Sequence, residues 1–191
     1  MDNKEELWKK GFSKKIHQKK KEIFEFIDIL IPKQRGNALE IGCYTGGMSS
    51  ILLNLYQSLT SIDVTYQNEC ELLKKEYPKW EYIIGNSQNL QIIEKIKDKK
   101  FDLIFIDGDH SEKGVQRDFE LYKDLLNKSG IIAFHDILNS QYHQEAGCLV
   151  YNFWNRIKEN YNSKEIIYPY EDILPYSTPG GDWGGIGVLF L

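Results

Sequence analysis

The chain has 191 residues, enough for one domain with a substantial core, and a formal net charge of −4, which argues against a general nucleic-acid binder. The charge is uneven: residues 1–22 hold eight Lys against four Asp and Glu, so the remainder carries −8. Cys43, Cys70 and Cys148 form no CxxC pair, no leader-like segment opens the chain and no apolar run approaches a membrane span, so a zinc ribbon is excluded and a reducing cytoplasm is expected.

Residues 5–31 read as helical. Ile23, Phe24, Ile27, Leu30 and Ile31 recur at i, i+1, i+4, i+7 and i+8, one stripe of a helix, and Pro32 is a natural stop. The basic run KKIHQKKK (14–21) reads as a solvated helix face rather than a phosphate or RNA patch. NALEIG (37–42) reads as a strand, followed by a glycine-rich turn and a helix with Met48, Ile51, Leu52 and Leu55. LTSID (59–63) is a strand, Cys70, Leu73 and Tyr77 mark a helix, and EYII (81–84) is a strand. Leu90, Ile93 and Ile96 mark another helix. FDLIFID (101–107) is almost continuously apolar, as expected for a strand buried on both faces of a parallel sheet.

Val115, Phe119, Tyr122 and Leu126 recur at i, i+4, i+7 and i+11, a helix stopped by Ser129-Gly130. GIIAFHDI (130–137) is a buried strand, and Ala146, Leu149, Val150, Phe153 and Ile157 trace a further helix. EIIYPY (165–170) and GIGVLFL (185–191) are strands with no helix between them, an antiparallel ending. The alternation predicts a doubly wound α/β sheet of seven mostly parallel strands with the last antiparallel. No linker or repeat divides the chain, so 1–191 is expected to be a single domain, with a helical extension over 1–32 and a core over 36–191.

EIGCYTGGMSS (40–50) joins the first strand to its helix. Glycines there let the backbone approach a ligand, and the helix start offers free N–H groups. The spacing is not the dinucleotide pattern G-x-G-x-x-G, because Tyr44 stands at the second glycine position, which argues against a nicotinamide enzyme. Glu40 ends the strand before the turn, where a carboxylate can bind an amino group. Asp63 ends the second strand, where an acid can grip a ribose hydroxyl pair.

These residues resemble the first motif of class I methyltransferases that use S-adenosylmethionine. The resemblance runs from about Gly36 to the C-terminus and implies a Rossmann-like methyltransferase core. It implies that Glu40, Gly42, Tyr44, Gly46, Gly47 and Ser49 lie against the methionine part of the cofactor. By the same resemblance Asp63 binds the ribose, Asn86 and Ser87 lie beside the adenine, and Asp107 also borders the cofactor.

Asp107 and Asp136 end the fourth and fifth strands. As neighbours, such strand ends lie roughly 5 Å apart, and carboxylates that close repel unless protonated or bridged by a cation. This part of the chain is similar to small metal-dependent O-methyltransferases acting on catechols and antibiotic sugars. The likeness implies a divalent metal on Asp107, Asp136 and His135, with His110 or Asp109 as the base that removes the acceptor's proton. Mg²⁺ is the first expectation. His135 stands where such enzymes carry Asp or Glu, and its softer imidazole brings in Mn²⁺, Fe²⁺ or Zn²⁺, or else places it behind the ligands.

The plainer readings are a polar turn at Asp107-Gly108-Asp109, a satisfied core histidine at His135, and surface positions for His17 and for His143, which lies just past the fifth strand and otherwise rims the site. Tyr142, Tyr151 and Trp154 read as core and cover, and GGDWGGIG (180–187) reads equally as acceptor pocket or hairpin turn. The expected partner is a small-molecule or sugar hydroxyl acceptor, with no nucleic acid and no membrane, and with a homodimer through the apolar N-terminal helices. The competing functions are an RNA methyltransferase and a non-catalytic nucleoside-binding module.

Overall fold

The computed structural model describes residues 3–33, 36–168 and 182–191. The N-terminal region is two helices, α1 (Asn3–Ser13) and α2 (Lys20–Leu30), not one helical run. Lys15 N–H donates to Phe12 O and Ile16 N–H donates to Gly11 O, both at 3.1 Å, while Lys15 takes a φ of +58°. Those paired bonds around a left-handed residue are a Schellman motif, which ends α1 and turns the chain away. The run KKIHQKKK is therefore not one solvated face: Ile16, Gln18 and Lys19 are buried in the connector.

Beyond it, β1 (Asn37–Ile41), α3 (Gly47–Leu55), β2 (Ser58–Asp63), α4 (Asn68–Glu76), β3 (Glu81–Ile84), α5 (Leu90–Glu94) and β4 (Phe101–Ile106) alternate. Then come α6 (Glu112–Tyr122), β5 (Leu126–His135), α7 (Gln141–Glu145), α8 (Val150–Ile157), β6 (Asn162–Ile166) and β7 (Ile186–Phe190). The strands form one sheet in the order β3-β2-β1-β4-β5-β7-β6, with β7 antiparallel to both its neighbours, as the pattern predicts.

Strand alternation divides the core between the two faces. Ala38, Leu103, Phe105 and Ala133 face the side covered by α1, α2 and α3; Leu39, Ile104, Ile106 and Phe134 face α6 and α8. The apolar stripe of the N-terminal helices, including Ile23, Phe26, Ile27 and Leu30, is buried against the chain's own sheet. That stripe is thus unavailable as the surface through which two subunits would pair.

Several boundaries differ from the sequence pattern: β6 (Asn162–Ile166) starts before EIIYPY and takes in only its first two residues. Leu126 opens β5 instead of closing a helix, and Ser129-Gly130 lies inside that strand. Pairing with β4 jumps from Phe101↔Leu126 to Leu103↔Ile131, and Ser129 takes a φ of +83° in the resulting bulge. Of the helix traced from Ala146 to Ile157 only Val150–Ile157 is helical (α8); Ala146 and Leu149 lie in the connection from α7, where Gly147 takes a φ of +72°. Residues 169 and 170 of EIIYPY, and Gly180 and Gly181 of GGDWGGIG, lie outside the described residues. No helix among the described residues is long and apolar enough to cross a membrane.

The chain runs outward from β1 to β3 and returns to β4 on the other side of β1. Such a reversal opens a crevice at the carboxyl ends of the strands, where Asp63, Asp107 and Asp136 stand.

Candidate active site

The loop after β1 is shaped by contact with the end of β4. Gly42 takes a φ of +82°, and a Cβ there would sit 2.1 Å from the carbonyl oxygen of Asp107. Only glycine lets the two segments touch. Asp63 Oδ2 accepts from the backbone N–H of Cys43 and of Tyr44, both at 2.9 Å, and Oδ1 accepts from Thr65 N–H at 3.0 Å. Asp63 thus pins the loop as well as bordering the cavity. Gly47, at the start of α3, passes so near the connector that a Cβ would lie 2.5 Å from Ile16 Cα.

Glu40 is fully buried, with Oε2 accepting from Ser49 Oγ and Ser61 Oγ at 2.6 Å each. Burial pushes its carboxyl up to about 8 in spite of those two donors. Its Oε1 has no hydrogen-bond partner among the described residues. An orphaned carboxylate oxygen beside a glycine-rich loop fits the amino group of a cofactor.

These elements enclose a cavity of about 770 Å³. Among the residues singled out from sequence, Gly46 and Ser49 lie behind its wall and the others line it. Asn86 Oδ1 accepts from Gln88 N–H at 2.8 Å, and Ser87 Oγ donates to Asp118 Oδ1 at 2.7 Å.

The opposite wall is the carboxylate pair. β4 and β5 are adjacent, so Asp107 and Asp136 emerge side by side. His135 Nδ1 lies 3.2 Å from Asp107 Oδ1 and 3.3 Å from Asp136 Oδ1. His110 Nε2 lies 3.3 Å from Asp107 Oδ1 and 3.7 Å from Asp136 Oδ2. Asp136 holds a φ of +61°, the kind of strained backbone that survives where surrounding contacts impose it.

Charge explains the protonation of this cluster. Burial opposes an imidazolium at His135, but Asp136 and Asp107 outweigh it and raise His135 well above its usual value. Burial likewise opposes charge on His110, and its bond to Asp107 and the field of Asp136 bring it to about 9. Burial would raise both acids, yet the histidines, His135 foremost, hold Asp107 below and Asp136 well below the usual carboxylate range.

Asp107, His135 and Asp136 each offer a donor atom, all within 4.8 Å of one another. Two carboxylates and an imidazole at that spacing fit a divalent cation. Asp109 turns elsewhere: its Oδ1 accepts from Ser111 N–H at 3.0 Å, and its carboxyl lies against Gly114 in the first turn of α6.

The two remaining histidines also reach the site. His143 is buried, not on the surface: its Nδ1 is 2.7 Å from Leu138 O, and its Nε2 is 3.3 Å from Asp136 Oδ1 and 3.2 Å from Gly184 N. His17 is exposed as expected, yet it stands at the cavity mouth with its ring edge-on to Tyr44 at 4.7 Å. All four histidines of the chain border one cavity. Gln18, which no sequence pattern marks, donates from Nε2 to Asp107 Oδ2 at 2.8 Å.

The chain matches the family model described as a methyltransferase domain over residues 39–137. It is 34% identical over 110 residues to an uncharacterised protein of Acanthamoeba polyphaga mimivirus, covering 51% of this chain and 50% of that one. It is 35% identical over 112 residues to the probable caffeoyl-CoA O-methyltransferase 3 of Dictyostelium discoideum, covering 53% of this chain and 43% of that one. The chain thus spans about half the length of the curated relatives it matches. Among solved structures, the methyltransferase MycE, held with Mg, SAH and mycinamycin VI, superposes with a TM-score of 0.67 at 13% identity. That superposition covers 99% of this chain and 54% of MycE, and at such identity it shows a shared fold. More than half of the chain matches the family model, including the loop after β1 and both acid-bearing strand ends, and the chain belongs to the methyltransferase-domain family.

Proposed function

We propose that this chain transfers the methyl group of S-adenosylmethionine to a hydroxyl of a small molecule or sugar, with a divalent metal on Asp107, Asp136 and His135. The observation that carries the reading is the convergence of both acids, His110 and His135 within 3.2–3.7 Å on the cavity that Glu40 and the glycine-rich loop also border. The names of two relatives support it: one is a probable O-methyltransferase, and MycE was solved with Mg and SAH.

S-adenosylmethionine supplies a methyl group on a sulfonium, and transfer is an in-line displacement. The protein contributes positioning and removal of the acceptor's proton. Glu40 Oε1 takes the cofactor's amino group, and the loop Gly42–Gly47 lies against its methionine part. Asp63 faces the ribose, and Asn86 and Ser87 face the adenine. Asp107, Asp136 and His135 would hold a divalent cation, which would lower the pKa of the acceptor hydroxyl. His110 Nε2 faces both carboxylates and keeps its own proton while their charge is uncompensated. With that charge offset, Nε2 accepts the acceptor's proton. Asp109, engaged with Ser111 and α6, supports the turn that aims His110. The two carboxylates suit Mg²⁺, while the softer imidazole of His135 favours Mn²⁺, Fe²⁺ or Zn²⁺.

Titration calorimetry with S-adenosylmethionine and with NAD, followed by transfer assays over a panel of hydroxylated acceptors, tests the reading. Micromolar S-adenosylmethionine binding and chelator-sensitive transfer are expected. Tight NAD binding with no S-adenosylmethionine signal ends it.

A further inference from the structure

The connector between α1 and α2 touches both halves of the site. Thr45 Oγ1, in the loop after β1, donates to Lys14 O. Ile16 is 1% exposed and fills the space beside Gly11 and Gly47. On the other side, Lys19 Nζ donates to Tyr168 O at 2.7 Å and lies 3.5 Å from Glu22 Oε1, with both side chains fully buried. Gln18 is held between these two anchors at 2% exposure.

Its Nε2 donates to Asp107 Oδ2 at 2.8 Å. The other oxygen, Oδ1, is the one that faces His135 Nδ1 and His110 Nε2 at 3.2 and 3.3 Å. A carboxylate can meet a cation through one oxygen or both. A fixed amide donor on Oδ2 leaves Oδ1 to point into the cluster. The donor is neutral, so it satisfies a lone pair without cancelling the charge that attracts a cation.

We propose that Gln18 is a positioning residue that makes Asp107 a one-oxygen metal ligand and sets the direction of Oδ1. The proposal rests on the metal reading above. Groups that orient metal-ligating carboxylates typically account for 10- to 100-fold in metal affinity.

The test is titration of Mn²⁺ into metal-free wild type, Gln18→Met, Gln18→Ala and Asp107→Ala, with S-adenosylmethionine titrations and thermal melts alongside. Gln18→Met keeps the side chain's length and apolar contacts and removes the amide, donor and carbonyl oxygen together. Both Gln18 variants are expected to lose about 10- to 100-fold in Mn²⁺ affinity while keeping near-wild-type melting and S-adenosylmethionine binding. Gln18→Met binding Mn²⁺ as tightly as wild type overturns the proposal and leaves the metal reading standing. Equal losses of Mn²⁺ and S-adenosylmethionine binding overturn it too, because they mark general damage to the connector. No Mn²⁺ binding by wild type beyond that of Asp107→Ala defeats the metal reading itself, and this proposal with it.

Discussion

Ser49 Oγ on α3 donates to Glu40 Oε2 on β1 at 2.6 Å, while the other carboxylate oxygen of this cavity-lining residue has no hydrogen-bond partner among the described residues. Burial holds the Glu40 carboxyl at about 8, against an ordinary value of 4.5. The unfolded chain therefore ionises first. The stability Glu40 contributes is fully present below 4.5 and falls as pH rises from there through about 8. Glu40→Gln should flatten the pH dependence of melting over that range.

The same group predicts proton release on cofactor binding. An ammonium at Oε1 favours the carboxylate, so S-adenosylmethionine affinity should climb with pH until about 8. Calorimetry at pH 7 in buffers of different ionisation heat should show a released proton for wild type and none for Glu40→Gln.

Asp63→Ala should weaken S-adenosylmethionine binding by about 1–3 kcal/mol, the scale of leaving charge-paired donors unmet. The Cys43 and Tyr44 amides lose their acceptor together, so the loop should also exchange its amide hydrogens faster. Unchanged affinity with unchanged exchange would show that the loop holds its shape without Asp63.

Chelation should abolish methyl transfer and leave S-adenosylmethionine binding largely intact, because the proposed ion serves the acceptor. Asp107→Ala and Asp136→Ala should each reproduce the chelated phenotype. Full activity in excess chelator after extended dialysis would make the carboxylate pair structural.

His110→Ala should cost about 10² to 10⁴ in rate, with the loss shrinking at high pH as hydroxide replaces the base. Asp109→Asn should cost less, since Asp109 is engaged with Ser111. In the metal-free chain the His110 ring should titrate near 9 by NMR and shift down when a divalent ion is added. Its raised value also means that its stabilising contribution is complete below 6.5 and is lost as pH rises through about 9. If His110→Ala keeps the wild-type pH–rate profile while Asp109→Asn loses its acid limb, the base is Asp109.

The strands, their parallel order and the antiparallel end are legible in the sequence because burial on a sheet is written in local alternation and in runs such as FDLIFID. The residues ending those strands are legible for the same reason: Asp63, Asp107 and Asp136 interrupt apolar runs where a parallel sheet opens its crevice. Periodicity is weaker where the chain turns. A basic run at helical spacing conceals the Schellman turn at Lys15, because the left-handed residue there is a lysine rather than glycine. The place of His143 just past the fifth strand brings it near Asp136 but does not fix its contact, and the convergence of Gln18 on an acid 89 residues away has no local trace. Sequence by itself determined which elements form and which acids end them, because those depend on neighbours within a few residues. Only the tertiary structure decided what surrounds those acids, because that depends on β4 lying beside β5 and on the connector crossing the cavity between two distant anchors.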